Sequence, residues 1–128
     1  MATFLIFVTR PAHDSAAANT TFQFCTAALQ ADHAITAVFF YGAGVTHANK
    51  FLLPQAGEPI MGQLWSTLAS KKIPLLVCAT AANRRGIIDV TEAKQNQFAE
   101  SSLHPRFTPS GLTEFAVLSQ KVTRVVQF

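Results

Sequence analysis

Ile73-Pro74-Leu75-Leu76-Val77-Cys78-Ala79-Thr80-Ala81-Ala82-Asn83-Arg84-Arg85-Gly86 is the stretch on which the fold turns. It begins as a short apolar run opened by a proline, the pattern of a parallel strand buried on both faces. A cysteine stands where the run ends. Small residues follow, then two arginines and a glycine able to stop a helical turn. In open α/β sheets, ligands and chemistry gather at the carboxyl ends of strands. A thiol placed there meets the start of the next helix, whose partial positive charge suits a thiolate. Cys78 is therefore the candidate nucleophile, and the remaining chain reads as its scaffold.

Upstream, Thr3 to Thr9 is nearly all apolar and reads as an interior strand, broken by Arg10-Pro11. Asp14 or Ser15 is positioned to cap a helix whose buried stripe is Ala18, Phe22, Cys25 and Leu29. That stripe gives Cys25 a plain role as a core thiol. Asp32-His33 ends the helix, with His33 expected as a C-terminal cap. Ile35 to Tyr41 is a second strand, followed by Gly42-Ala43-Gly44-Val45. Two glycines after a strand suggest a phosphate loop, but without a third glycine a tight turn is the stronger reading. His47 and Asn49 lie just beyond. Pro54 to Pro59 reads as a loop, Pro59 as the first turn of a helix, and Met61, Leu64, Trp65 and Leu68 as that helix's apolar face.

Downstream of Gly86, Asp89-Val90-Thr91-Glu92 has the form of a capping box. Asn96 to Thr108 looks irregular, and a loop of that length often has a function. Ser110 is expected to cap a last helix with Leu112, Phe115 and Ala116 inward, and Val122 to Phe128 to form a closing strand. Four strands are firm. A fifth is expected near Ile87-Ile88 or near Phe107. Strands alternating with helices imply right-handed βαβ units, a parallel sheet and helices on both faces, in a single domain over residues 1–128.

Of the 128 residues, 49% are hydrophobic and 13% charged, with eleven phenylalanines and a formal net charge of +3. So little charge on a small domain predicts surface buried against another chain, with Phe39, Phe40, Phe51 and Phe128 as candidates for it. The only adjacent basic pairs are Lys71-Lys72 and Arg84-Arg85, so no nucleic-acid stripe is expected. Two cysteines make neither a disulfide framework nor a metal pattern, and they suit a reducing compartment. Phe4 to Val8 is too short to span a bilayer. A cytoplasmic protein without a membrane partner is expected.

His13, His33, His47 and His104 are scattered without ligand spacing, so no metal is expected, and no cofactor either. No nucleophile elbow or Walker sequence is present. Arg84 and Arg85 are positioned to add positive potential near Cys78, or to satisfy the last carbonyls of the short helix. A thiolate without a neighbouring base suits sulfur exchange better than hydrolysis, since attack on a sulfane sulfur needs a good leaving thiolate and little proton shuttling.

The sequence also resembles the DsrE/TusD family of sulfur-relay proteins. The resemblance is carried by Phe22-Gln23-Phe24, Val38-Phe39-Phe40-Tyr41, Gly44-Val45 with Ala48-Asn49, and Val77-Cys78. It continues through Arg84-Arg85-Gly86-Ile87-Ile88-Asp89 with Glu92-Ala93, Phe107 with Ser110-Gly111-Leu112, and Arg124-Val125-Val126-Gln127-Phe128. These run in order over nearly the whole chain, and cysteine followed by Arg-Arg-Gly is the most specific part. The resemblance implies a three-layer α/β/α fold with a five-stranded parallel sheet. It implies a sulfurtransferase in which Cys78 carries a persulfide, with Tyr41, Arg84 and Arg85 on the substrate side. It further implies a TusA-like donor, a TusE-like acceptor, and TusB-like and TusC-like subunits in a heterohexamer serving 2-thiolation of the tRNA wobble uridine. Leu103 to Phe107 is closer to the DsrE branch, so dissimilatory sulfur metabolism stays open as the pathway. Two other functions stay open as well: a noncatalytic subunit that only builds a complex, and a flavodoxin-like nucleotide binder using Gly42 to Gly44.

Overall fold

The computed structural model describes residues 1–128, the side chain of Ser15 excepted, so the alternative cap at Ser15 lies outside the described residues. Strands and helices alternate: β1 Thr3–Val8, α1 Ser15–Gln30, β2 Ala34–Phe40, a 3-10 segment Gly42–Ala48, α2 Met61–Ala69, β3 Leu75–Cys78, α3 Ala79–Asn83, α4 Val90–Gln95, β4 Phe107–Ser110, α5 Leu112–Ser119 and β5 Arg124–Gln127. All strand pairs are parallel, in the order β4-β3-β2-β1-β5. The chain steps from β1 to β4 in one direction and then returns across the sheet to place β5 beyond β1. With right-handed crossovers, α1, α2 and α4 cover one face and α5 alone covers the other.

Neighbouring residues of β2 show the two faces, because successive side chains of a strand point oppositely. The ring of Phe40 meets Trp65 of α2 at 5.0 Å between centroids, whereas that of Phe39 meets Phe115 of α5 at 5.2 Å. The first face is thick. Trp65, Leu68, Cys25, Ile6, Val8, Val38 and Phe40 are fully buried in the same core, each large side chain worth roughly 1.5–3 kcal/mol of burial. The second face is thinly covered. α5 contains no buried residue, and Leu112 and Val117 are about half exposed.

Local signals explain most element ends. Asp14 accepts the N–H of Ala17 at the start of α1. Asp89 and Glu92 form the reciprocal capping box expected of them. Several expectations are corrected. His33 does not cap α1: its Nδ1 accepts the N–H of Ala2 at 2.9 Å and so ties down the entry to β1. Pro59 precedes the N-cap Ile60 rather than opening the helix. Gly111, not Ser110, is the N-cap of α5, and of the residues expected inward there only Phe115 packs, with Leu118 beside it. Of the two places expected for the fifth strand, the one near Phe107 holds it, as Phe107–Ser110, whereas Ile87 is buried but not in a strand. β4 tolerates Pro109 because it is an edge strand, where a missing N–H breaks no ladder bond. Phe39 and Phe40 are wholly hidden and Phe128 is partly buried, whereas Phe51 is exposed as expected, as are Leu53, Leu112, Val117 and Val125.

Candidate functional site

Cys78 is the last residue of β3 and the N-cap of α3, so the thiol lies where a strand hands over to a helix. The helix is five residues long, which makes its dipole small. Strand register supplies the neighbours. Cys78 pairs with Ser110 of β4, and Phe40 pairs with Val77, which brings Tyr41 alongside on the β2 side. In-register residues of parallel strands point the same way, so Cys78 and Ser110 both face the α5 side of the sheet. There Ser110 Oγ donates to the carboxylate of Glu114 in the first turn of α5. The sulfur position is thus flanked by a phenol-bearing residue and a hydroxyl–carboxylate pair.

The thiol is less open than its position in sequence predicts. Cys78 is 6% exposed, against the expectation of a partly accessible group. The reason is β4, which pairs with β3 on the side away from β2, so β3 is flanked on both sides and all four of its residues are buried.

Tyr41 stacks on Phe7 at 6.0 Å with 19° between the rings, which fixes it beside the β1–β2 seam. Arg84 and Arg85 sit at the far end of α3, about 9 Å from its start at 1.5 Å per residue. Arg85 donates from Nη1 to the carbonyl of Ala81 at 3.0 Å, satisfying a helix-end acceptor, and both arginines are exposed. The two arginines thus lie beyond the short helix, whereas Ser110 stands in register with Cys78 and Tyr41 alongside it on neighbouring strands. Ser110 and Glu114 carried no sequence signal for this role, because it depends on a register that only the hidden strand creates.

Cys25 is fully buried in α1, and burial pushes its thiol up to about 12. At neutral pH it stays protonated inside the core. Gly44 resolves the double-glycine turn. Its N–H goes to the carbonyl of Tyr41, and its open side faces the backbone of β1, so the glycine admits the chain's own carbonyl rather than a phosphate.

His47, given no role by the sequence, is 1% exposed and wedged between Phe40 and Trp65. Its Nε2 donates to the carbonyl of Arg10 at 3.0 Å, which leaves Nδ1 bare and buried. Burial is the main reason its pKa falls to about 4, partly offset by the bond to Arg10 and by Asp14. Between pH 6.5 and about 4 the unfolded chain gains a proton that the folded chain refuses, so stability falls as pH falls through that window and is whole above it. The loss amounts to about 3 kcal/mol. Urea unfolding at pH 7 and near pH 4 should show His47→Gln losing less stability on acidification than the parent. Parallel losses in the two proteins would refute the assignment.

Among the described residues no cluster of three or more His, Cys, Asp or Glu gathers into a metal site, and no helix is long and apolar enough to cross a membrane. The family model described as DsrE/DsrF-like matches residues 2–128. Among solved structures, the crystal structure of the YchN protein from E. coli matches over the whole of both chains with a TM-score of 0.74 and 17% identity. At that identity the likeness speaks for the fold.

Proposed function

This chain belongs to the DsrE/DsrF-like family, and from that premise we propose that it is a sulfur-relay sulfurtransferase subunit whose Cys78 carries a persulfide. The observation that carries the reading is the placement of one thiol, and not the other, at a strand end flanked by polar groups. In the step envisaged, the Cys78 thiolate attacks a donor persulfide's outer sulfur. A new S–S bond forms on Cys78, the donor's S–S bond breaks, and the donor leaves as thiolate. A downstream thiolate then takes the same sulfur and regenerates Cys78.

Transfer from a 6%-exposed thiol requires movement, and α5 is the element suited to it. It lies on the same face as Cys78, holds on through partly buried Phe115 and Leu118, and has the few buried contacts typical of locally unstable segments. The full reading is TusD-like: a TusA-like donor, a TusE-like acceptor, and TusB-like and TusC-like partners in a cytoplasmic heterohexamer acting toward tRNA 2-thiolation. The DsrE-type alternative keeps the chemistry and changes the pathway.

Loading by a cysteine desulfurase and a donor carrier should add the mass of one sulfur atom to the intact chain, removable by a thiol reductant. Absence of that adduct in a folded, fully reduced protein would overturn the reading in favour of a structural subunit. The half-exposed Leu112, Val117 and Val125 predict assembly, so sedimentation of the chain coexpressed with partner subunits should show a species larger than one chain. A monomer that transfers sulfur at full rate would refute it.

A further inference from the structure

Attack on a sulfur requires a thiolate, so the Cys78 proton needs an acceptor. The usual partners of a reactive thiol are not beside it. α3 is five residues long, and Arg84 and Arg85 lie beyond its far end. The four histidines stand elsewhere: His47 between Phe40 and Trp65, His13 and His104 beside the first turn of α2, and His33 at the entry to β1. Asp89 and Glu92 cap α4 on the opposite face of the sheet. Of the elements around the thiol, β3, α3, β4 and α5, Glu114 is the one carboxylate and, Cys78 apart, the one ionisable side chain. Tyr41, at the end of β2, adds a phenol.

Ser110 is in register with Cys78 on the neighbouring strand, and both side chains face α5. Strands of a sheet lie about 4.8 Å apart, which sets the hydroxyl within reach of the thiol. Ser110 is half-buried, and its Oγ donates to the Glu114 carboxylate. A hydroxyl has one proton and two lone pairs. With the proton committed to Glu114, what Ser110 keeps for the thiol is an acceptor, so the chain of groups runs one way, from sulfur to carboxylate. Glu114 is exposed in the first turn of α5, and the same bond ties that turn to β4.

We propose that Ser110 and Glu114 are the proton relay of the sulfur-transfer step, with Ser110 taking the proton of Cys78 and Glu114 the positioning residue behind it. The relay rests on the role proposed above for Cys78. As the thiol proton passes to Ser110 Oγ, the Ser110 proton passes to the Glu114 carboxylate. The Cys78 thiolate attacks the outer sulfur of the donor persulfide, the new S–S bond forms, and the donor's S–S bond breaks with its electron pair on the departing sulfur. The proton held on Glu114 returns through Ser110 to that departing thiolate. A thiol and a persulfide thus become a persulfide and a thiol, with no oxidant, reductant or net proton consumed. Because the first turn of α5 is tied to β4, the pair stays beside Cys78 while the later turns, with Val117 and Leu118, lift to admit the donor.

Two rates read the relay in the full-length chain between about pH 6 and 8: sulfur loading of Cys78, and its alkylation by iodoacetamide, each followed by peptide mass. Glu114→Gln keeps an oxygen for Ser110 to bond, and so the tie to α5, while removing the basic group. It should slow both reactions roughly tenfold or more near pH 6.5. It should also change the profile: shallow in the parent, the rate should rise about tenfold per pH unit in the variant, the slope of a thiol deprotonated by solvent alone. Ser110→Ala should behave as Glu114→Gln does, and Ser110→Thr, which keeps the hydroxyl, should retain the parent profile. Unchanged rates and slopes in Glu114→Gln would overturn the proposal and leave the pair a contact at the start of a helix. Faster reaction with an unchanged slope would overturn it as well, making the pair a latch on α5. A parent alkylated at Cys78 that gains no sulfur would refute the sulfurtransferase reading instead, and the alkylation profiles would still decide whether the relay exists.

Discussion

Cys78→Ser is expected to reduce persulfide formation to background while the protein stays folded, and Cys25→Ser to leave persulfide formation intact while lowering stability. The first change removes the nucleophile and almost nothing else. A serine hydroxyl is essentially un-ionised at neutral pH and does not attack sulfane sulfur, whereas its volume is close to that of a thiol. It also has polar company, because Ser110 stands across the strand pair and Tyr41 on the other side, so a hydroxyl at residue 78 is not stranded. The second change puts a hydroxyl into a fully buried stripe of α1. Bonding back to the preceding turn relieves part of that cost, which leaves a loss of about 1–2 kcal/mol. Intact mass after loading reads the first quantity and chemical denaturation the second. A Cys78 variant that still gains sulfur, beside a Cys25 variant that does not, would transfer the whole functional assignment to α1.

The contrast between the two thiols was legible in the sequence because it rests on period. Cys25 shares helical spacing with Ala18, Phe22 and Leu29, and Cys78 ends an apolar run opened by Pro74. The capping box at Asp89 and Glu92 was legible for a similar reason, since it is a contact between residues three apart. What escaped depends on partners distant in sequence. Phe107-Thr108-Pro109-Ser110 holds a proline and two polar residues, so nothing local marks it as a strand; it is one because β3 offers a free edge for it to pair with. A strand near Phe107 was one of two alternatives and came with no register, so Ser110 and Glu114 could not be set beside Cys78. His47 escaped likewise: its burial is set by Trp65, eighteen residues on, and its hydrogen bond by Arg10, thirty-seven residues back. α5 misled in the opposite way. Leu-Thr-Glu-Phe-Ala-Val-Leu-Ser is apolar on most of its circumference, so periodicity assigns it no unique inward face, and the single chain covers only the Phe115 side.

Gly44→Ala is expected to be the most destabilising single-methyl change in the chain, at about 3 kcal/mol or more, because of where the methyl must go. A Cβ built on Gly44 would stand 2.1 Å from the carbonyl oxygen of Val8, 2.7 Å from its carbon and 3.1 Å from the Cα of Thr9. The obstacle is backbone, and backbone held on both sides. The same Val8 oxygen accepts the N–H of Tyr41, and Gly44's own N–H is given to the Tyr41 carbonyl. Neither partner is able to yield without breaking the junction at which β1 and β2 deliver their carboxyl ends, so the penalty exceeds the 1–3 kcal/mol usual for an overpacked core. In a domain of this size such a loss should lower the melting temperature by roughly 10 °C. Gly42→Asn is the matched control. Gly42 has φ +56 and nothing within 4 Å of an added Cβ, so the demand there is conformational, and asparagine meets it at small cost. Because the Tyr41 carbonyl holds the N–H of Gly44 and Tyr41 lies alongside Cys78, the folded fraction of Gly44→Ala should also load sulfur more slowly, which Gly42→Asn should not. Equal melting temperatures for the two variants would show that the approach of Gly44 to β1 is not the constraint that closes this end of the sheet.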